Sequence, residues 1–254
     1  RVSSATSVSS IVLSAGGADV DLGASKGMAV TSKAGNGTWQ YSTDGVNWSA
    51  FGNVSATNAL LLSASTQVRY LPDGLNGETA SIHFVAWDQT TGSASTTSTA
   101  SYVNPGSGGG STAFSSASAT AAISVTSIND APTITQGVTV TLAATDENTT
   151  STAYAINSLL SAANRIDVDT GALGGVAITG VTGNGTWQYS SDGIVWTGFG
   201  SITSTQALLL DANQQVRYVP DGLNGEAVGF SFVAWDQTTG TASVAGTPRA
   251  PEAP

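Results

Sequence analysis

At 254 residues the chain has room for one large domain or two ordinary ones, and its formal net charge of −10, with only seven Lys plus Arg, leaves no basic surface for nucleic acid or anionic lipid. A cation is the better partner for such a chain. The absence of Cys excludes disulfides, thiol catalysis and Cys-ligated zinc. Because no apolar run approaches about 18 residues and no basic-then-apolar leader is present, we expect neither membrane insertion nor a signal peptide.

The first part of the chain predicts short strands joined by turns. In residues 38–51, aromatic and polar residues alternate on either side of Asp44-Gly45, which is typical of a hairpin. Residues 67–71 alternate in the same way before a turn at 72–74, and residues 82–87 predict a strand that is apolar on both faces. Many short strands with a turn every 8–12 residues or so predict an all-β fold, built as an antiparallel sandwich.

The join between two copies of this pattern follows. Residues 104–111 form a glycine-rich loop, and the stretches on either side, 96–103 and 112–128, are expected to be the two arms of a last hairpin. Residues 133–144 then predict the first strand of the second copy. The only segment with helical character is 153–164, which is short enough for a single turn between strands.

The pattern returns at a constant offset of 148 residues. Residues 183–240 match residues 35–92 without a gap and at about two-thirds of the positions. The repeated stretches include GNGTWQYS, QVRY, PDGLNGE and FVAWDQTTG. We therefore expect two tandem domains of one kind, over residues 1–130 and 131–254.

Each copy lacks one terminal strand. The first has no equivalent of residues 131–148, and the second has none of residues 113–128. One interpretation is that the chain is a fragment of a longer array. The other is that the open edges accept a strand from a neighbouring chain, because unpaired edge groups are templates for strand addition.

Acidic residues carry nearly all the chemistry that this composition offers. An Asp-x-Asp pattern occurs early in each copy, as Asp19 and Asp21 and again as Asp167 and Asp169. Alternate carboxylates on an extended segment point the same way, and calcium prefers such oxygen ligands. The alternative is a pair of solvated loop acids. Asp88 and Asp236, each directly after an apolar strand, favour the metal interpretation.

The motifs NDAPT at 129–133, DENT at 146–149 and IDVD at 166–169, with the PDGLNGE turn and FVAWD, resemble the cadherin-like tandem modules of giant secreted bacterial adhesins of the type I secreted, RTX-like kind. The resemblance implies tandem immunoglobulin-like or cadherin-like antiparallel β-sandwiches with Ca²⁺ bound at module junctions. By position it implies as ligands Asn129 and Asp130 in the linker, Glu147, Asp167 and Asp169, and Asp236. Asp19, Asp21 and Asp88 would form the same set in the first copy.

These features predict a structural or adhesive module of a secreted protein at the bacterial cell surface, with calcium, neighbouring repeats or identical subunits as partners, and surface glycans or proteins as further ones. Two alternatives stay open. The chain could be a subunit of an extracellular filament that polymerises by strand donation, or a glycan-binding module that uses exposed aromatic residues.

Several residues have simpler interpretations. His83 is the only His, its counterpart is Ser231, and no G-x-S-x-G stretch accompanies it, so we do not expect an enzyme. Acids that precede Gly are explained by turns without metal. These are Asp44, Asp73, Asp192 and Asp221. The six Trp are expected to pack in the cores, and Arg69 and Arg217 to pair with carboxylates.

Overall fold

The computed structural model describes residues 1–18, 25–203 and 206–246. The chain divides into two compact units, residues 1–128 and 129–254, called unit 1 and unit 2 below. In the described residues no helix is long and apolar enough to cross a membrane. Each unit is built from antiparallel strands that form two sheets around a core, so the all-β sandwich expected from the sequence is confirmed.

Among its described residues, unit 1 contains nine strands and one helix. In chain order they are β1 (Thr6–Ser7), α1 (Val8–Ser14), β2 (Gly27–Ala34), β3 (Thr38–Ser42), β4 (Ser49–Ala50), β5 (Ala59–Leu62), β6 (Gln67–Leu71), β7 (Glu78–Trp87), β8 (Tyr102–Val103) and β9 (Phe114–Val125). One sheet has the strand order β1-β6-β3-β4, and the other has the order β8-β5-β2-β7-β9.

Unit 2 repeats most of these elements 148 residues later. They are β10 (Tyr154–Ala155), α2 (Ile156–Ala162), β11 (Gly175–Thr182), β12 (Thr186–Ser190), β13 (Thr197–Gly198), β14 (Leu208–Asp211), β15 (Gln215–Val219) and β16 (Gly229–Trp235). Its sheets have the orders β10-β15-β12-β13 and β14-β11-β16. The second sheet has three strands where unit 1 has five, because among the described residues β8 and β9 have no counterparts.

The period-two alternation of the sequence builds both cores. Trp39 and Tyr41 of β3 and Val68 and Tyr70 of β6 are buried between the sheets of unit 1, and their polar neighbours face outward. The Trp39 and Tyr70 rings lie with centroids 5.0 Å apart. The equivalent rings of unit 2 have the same separation. The predicted hairpin is also present, since β3 pairs with β4 across the Asp44 turn.

Four of the six Trp are buried and two are only half-buried. The buried ones are Trp39, Trp87, Trp187 and Trp235. Trp48 and Trp196 lie under Arg69 and Arg217, whose guanidinium carbons are 3.9 and 4.0 Å from the ring centroids. Among the described residues these arginines therefore pack on aromatic rings rather than on carboxylates, and the expected ion pairs are wrong.

The sequence predicted one helical segment, and the described part of the chain contains two equivalent helices. In α1, Val8 and Val12 are one turn apart and both are buried, and the Ser7 hydroxyl caps the helix by accepting a hydrogen bond from the Ser10 amide at 3.3 Å. Both helices have seven residues, or two turns. The Ser-rich composition of α1 hid it, because Ser is a poor helix former outside caps.

The predicted last hairpin of unit 1 is wrong. β8 pairs with β5 and β9 pairs with β7, so the two arms lie at opposite edges of one five-stranded sheet. The β7–β9 register explains the preference, because it places Phe114 opposite Trp87 and buries both side chains. The glycine-rich loop between the arms is long enough to cross the end of the sheet.

The predicted first strand of unit 2 is also absent. Within residues 133–144 only Thr133 is part of a ladder, through an isolated bridge to Ile166. Gly137 interrupts the extended chain with a φ of 71°. Val140 and Leu142 then pack against the core of the unit without regular strand pairing.

Candidate metal site

Asp236 follows the end of β16 and is held almost entirely inside unit 2, with 8% of its surface exposed. Its Oδ1 accepts hydrogen bonds from the Thr238 amide at 3.0 Å and the Thr238 hydroxyl at 2.7 Å. Its Oδ2 accepts a hydrogen bond from Asn129 Nδ2 at 2.7 Å. The acid at the strand end is thus joined to the first residue of the unit.

The residue after Asn129 makes the next connection. The backbone amide of Asp130 donates to Asp169 Oδ2 at 2.7 Å. Two consecutive residues of the linker therefore reach two acids that are far apart in sequence, Asp169 in the loop before β11 and Asp236 after β16. The name Asp169 cluster is used below for Asn129, Asp130, Asp167, Asp169 and Asp236.

Asp167 lies beside a cation. Arg165 Nη2 is 2.7 Å from Asp167 Oδ2, and the Asp167 side chain is only 3% exposed. Asp167 Oδ1 accepts a hydrogen bond from the Asp169 amide at 3.1 Å. Arg165 Nη2 also donates to the Leu173 carbonyl at 2.5 Å. The arginine thus neutralises one acid of the Asp-x-Asp pair, and within the described residues no Lys or Arg forms an ion pair with the other.

Asp169 is the acid of the cluster with an unsatisfied hydrogen-bond acceptor. Its Oδ1 is buried and accepts no hydrogen bond from any described residue. An unsatisfied buried acceptor costs about 1–3 kcal/mol, and more when it carries charge. A cation with oxygen ligands would satisfy this atom, and the Asp130 and Asp236 carboxylates and the Asn129 amide supply further oxygens of the kind that Ca²⁺ takes. The residue types present are therefore those that hold Ca²⁺, and their side chains would have to rearrange to surround one ion.

The hydrogen bonds also favour the charged form of Asp236. Burial raises the pKa of this carboxyl, but the hydrogen bonds from Asn129 and Thr238 outweigh burial, so that its pKa lies below the ordinary value. Asp236 is therefore a carboxylate at neutral pH, as a metal ligand must be.

The structure does not bring all the predicted ligands together. Glu147 borders a separate cavity, whose lining includes no residue of the Asp169 cluster. Asp19 and Asp21 lie outside the described residues. Asp88 repeats the turn of Asp236, since its Oδ1 accepts from the Thr90 amide and hydroxyl, each at 2.7 Å. In the described residues, the Asn129 side chain makes its contact with Asp236 and not with Asp88.

Two residues that contact the predicted ligands were not predicted from the sequence. Arg165 pairs with Asp167, and Thr238 holds Asp236. The signals were an Arg two residues before the Asp-x-Asp and a Thr two residues after the strand-end acid, the spacing of an Asx-type turn. Both residues fix carboxylates that the sequence treated as free.

The acids Glu78 and Glu226 serve a different purpose. Glu78 accepts hydrogen bonds from the Tyr70 hydroxyl and, at 2.7 Å, from the Asn36 amide. The Tyr70 hydroxyl in turn accepts from the Gly37 amide at 2.6 Å. Burial, with the bond to Glu78, raises the pKa of Tyr70 to about 12. Glu226 repeats this arrangement in unit 2, so both acids brace a turn.

Among the described residues, no three or more His, Cys, Asp or Glu side chains are already arranged as a metal-binding group. The Asp169 cluster thus combines three hydrogen bonds among its members with one unsatisfied oxygen, and it is not a finished coordination shell. No protein-family model, curated protein or solved structure matches the chain.

Proposed function

We propose that the chain is a structural or adhesive module of a secreted protein at the bacterial cell surface, and that calcium bound at the Asp169 cluster rigidifies it. The observation that carries the proposal is the buried Oδ1 of Asp169, which accepts no hydrogen bond. The other oxygen of the same carboxylate accepts a hydrogen bond from the Asp130 amide. A buried charge without a partner is retained where a ligand compensates it.

The charges of the cluster suit a divalent ion. Arg165 already balances Asp167, which leaves Asp130, Asp169 and Asp236 as the acids of the cluster available to the ion. Their carboxylates and the Asn129 amide oxygen are hard oxygen ligands of the type that Ca²⁺ takes. Calcium supplies positive charge that cancels the mutual repulsion of these acids.

Binding requires a small rearrangement. Asn129 donates its amide to Asp236 Oδ2, and we expect this side chain to rotate about its last bond so that its oxygen faces the ion. The flexible coordination geometry of Ca²⁺ tolerates such adjustment, whereas the strict octahedron of Mg²⁺ does not. Calcium is therefore expected to bind more tightly than magnesium.

The role of the ion follows from the composition. The chain has no Cys, so disulfides are not available to brace it outside the cell. A ligand that binds only the folded form stabilises by mass action, with about 2.7 kcal/mol at a free concentration one hundred times Kd. The ion would also hold the linker residues Asn129 and Asp130 against the sheet of unit 2.

Isothermal titration calorimetry with CaCl₂ tests the proposal directly. The wild-type chain should bind calcium, Asp169→Asn should bind at least about tenfold more weakly, and Asp221→Asn should bind as the wild type does. Asp221 is a suitable control because it lies in unit 2 and accepts one turn amide, from Leu223 at 3.1 Å, which an Asn oxygen also accepts. Equal affinity in all three proteins would reject the site.

A further inference from the structure

One arginine lies at the candidate metal site. Arg165 Nη2 is 2.7 Å from Asp167 Oδ2, and the two side chains are 16% and 3% exposed. The same nitrogen donates to the Leu173 carbonyl at 2.5 Å. These contacts hold the guanidinium against an acid that the resemblance to cadherin-like modules implied as a calcium ligand. A positive charge that belongs to the chain therefore already neutralises this acid.

The hydrogen bonding of this arginine is incomplete. Its Nε is buried and, among the described residues, donates no hydrogen bond. A buried donor without an acceptor is unfavourable, and more so when the group carries charge. The close contact of the guanidinium with Asp167 offsets this cost, because opposite charges attract strongly where water is excluded. Arg165 is therefore explained by its charge rather than by a full set of hydrogen bonds.

The arginine is a feature of unit 2 and not of the repeat. The Asp-x-Asp pattern occurs in both copies, but the residue 148 positions before Arg165 is Gly17. The backbone is held alike at the two places, since Gly17 N donates to the Val12 carbonyl at 2.8 Å and Arg165 N to the Leu160 carbonyl at 2.9 Å. A Cβ at Gly17 would collide with the branched side chain of Val12. Leu160 stands in the place of Val12 and is not branched at Cβ, so it leaves room for Arg165.

We propose that Arg165 is a tethered cation that competes with calcium for Asp167 and thereby sets the affinity of the site. The inference rests on the proposed function, because it concerns calcium binding at the Asp169 cluster. While Arg165 holds Asp167, the ion is left with the other three acids of the cluster. The affinity of a calcium site rises with the charge count of its ligands, and a fixed positive charge nearby lowers it by repulsion. Arg165 therefore weakens calcium binding in two ways.

The same pair stabilises unit 2 without calcium. The Asp167 side chain is almost fully buried, and a buried carboxylate that loses its cation is strongly destabilising. Arg165 supplies this cation at any calcium concentration. We therefore expect unit 2 to keep its fold in chelator and to take up calcium only where the free concentration is high.

A double-mutant cycle on the full chain tests the inference by isothermal titration calorimetry with CaCl₂. Arg165→Gln removes the competing charge and frees Asp167, so it should bind calcium at least about tenfold more tightly than the wild type. Arg165→Gln combined with Asp167→Asn removes a neutral pair, so its affinity should lie within about threefold of the wild type.

Two further variants are matched controls. Arg165→Lys retains the positive charge and should also stay within about threefold of the wild-type affinity. Arg217→Gln removes the same charge elsewhere in unit 2, where the guanidinium lies over the Trp196 ring and Nε donates to Gln188 at 2.8 Å. It should bind calcium as the wild type does.

Thermal unfolding separates a change in affinity from a loss of the fold. In EDTA, Arg165→Gln should melt below the wild type, because Asp167 is left buried without a cation. Calcium should raise its Tm by more than it raises that of the wild type. If Arg165→Gln is unfolded in EDTA, calcium should restore its circular dichroism spectrum. The variant with both replacements has no unpaired charge at this place and should be folded in both buffers.

The possible results distinguish the inference from the proposed function. Equal calcium affinity of Arg165→Gln and the wild type would overturn the inference and leave the proposed site intact. Equally tight binding by Arg165→Gln and by the variant with both replacements would also overturn it, because the effect would not then depend on Asp167. Binding by Arg165→Gln with none by the wild type would support it. Absence of calcium binding from every protein would reject the proposed function, and this inference with it.

Discussion

Asp169→Asn is predicted to change the stability of unit 2 with opposite signs in calcium and in chelator. In chelator the replacement removes a buried negative charge whose Oδ1 accepts no hydrogen bond. The Asn side-chain oxygen still accepts the hydrogen bond that the Asp130 amide donates to Asp169 Oδ2 in the wild type, at 2.7 Å. The variant is therefore expected to be as stable as the wild type, or more stable by up to about 1 kcal/mol.

In calcium the same replacement removes a ligand. At a free concentration one hundred times the wild-type Kd, the wild type gains about 2.7 kcal/mol and the variant gains little of it. For a unit of this size, with an unfolding entropy of about 2.1 cal/mol/K per residue, that difference corresponds to a shift of about 10 °C in Tm. The variant should therefore melt lower than the wild type in calcium.

Differential scanning calorimetry, with each protein measured in CaCl₂ and in EDTA, gives the four values needed. The Asp221→Asn control should follow the wild type in both buffers, because its turn bond survives the change. A destabilisation by Asp169→Asn of equal size in both buffers would refute the reasoning, since it would mean that the carboxylate acts through protein contacts alone.

Three further predictions concern the rest of the fold. Hydrogen bonds hold the pKa of Asp236 below its ordinary value, so its contribution to stability is present above about pH 4 and is lost as pH falls through the lower, folded pKa. In an acid titration without calcium, followed by circular dichroism, the stability of Asp236→Asn should therefore fall less steeply with decreasing pH than that of the wild type. Tyr218→Phe should cost about 1–3 kcal/mol in urea unfolding, because it leaves the Gly185 amide without its acceptor at 2.6 Å, and Tyr70→Phe should cost the same in unit 1. Ile82→Ala should lower the free energy of unfolding by about 2–5 kcal/mol. Phe230→Ala should lower it by less although it removes more atoms, because Phe230 is only half-buried. Equal shifts of the urea midpoint in the two variants would contradict this expectation.

The sequence predicted the elements that depend on local pattern. Alternation in residues 38–42 and 67–71 sufficed for β3 and β6, because each side chain has only two faces to choose between. It could not predict which strand the arm at 112–128 would join. That choice depends on the burial of Phe114 beside Trp87, a contact between residues that sequence periodicity does not relate.

The candidate metal site was also predicted only in part. The resemblance to cadherin-like modules implied one set of ligands that included Asn129, Asp130, Asp169 and Asp236, and the structure brings these four into contact in pairs. It does not add Glu147, since residues 133–147 follow an irregular path along the cavity instead of the predicted strand. Loop paths depend on long-range packing, which is why this part escaped prediction.

The duplication of β7 in β16 has a consequence for the order of folding. Two edges of similar sequence compete for β9, and mispairing between adjacent repeats is a common failure of tandem proteins. β9 ends at Val125 and β16 begins at Gly229, so at ribosomal rates β16 emerges about 5–20 s after β9 is complete. Sandwich domains fold in milliseconds to seconds. During synthesis β9 can therefore pair with β7 before its competitor exists, whereas refolding of the denatured chain from urea has no such order and exposes both edges at once.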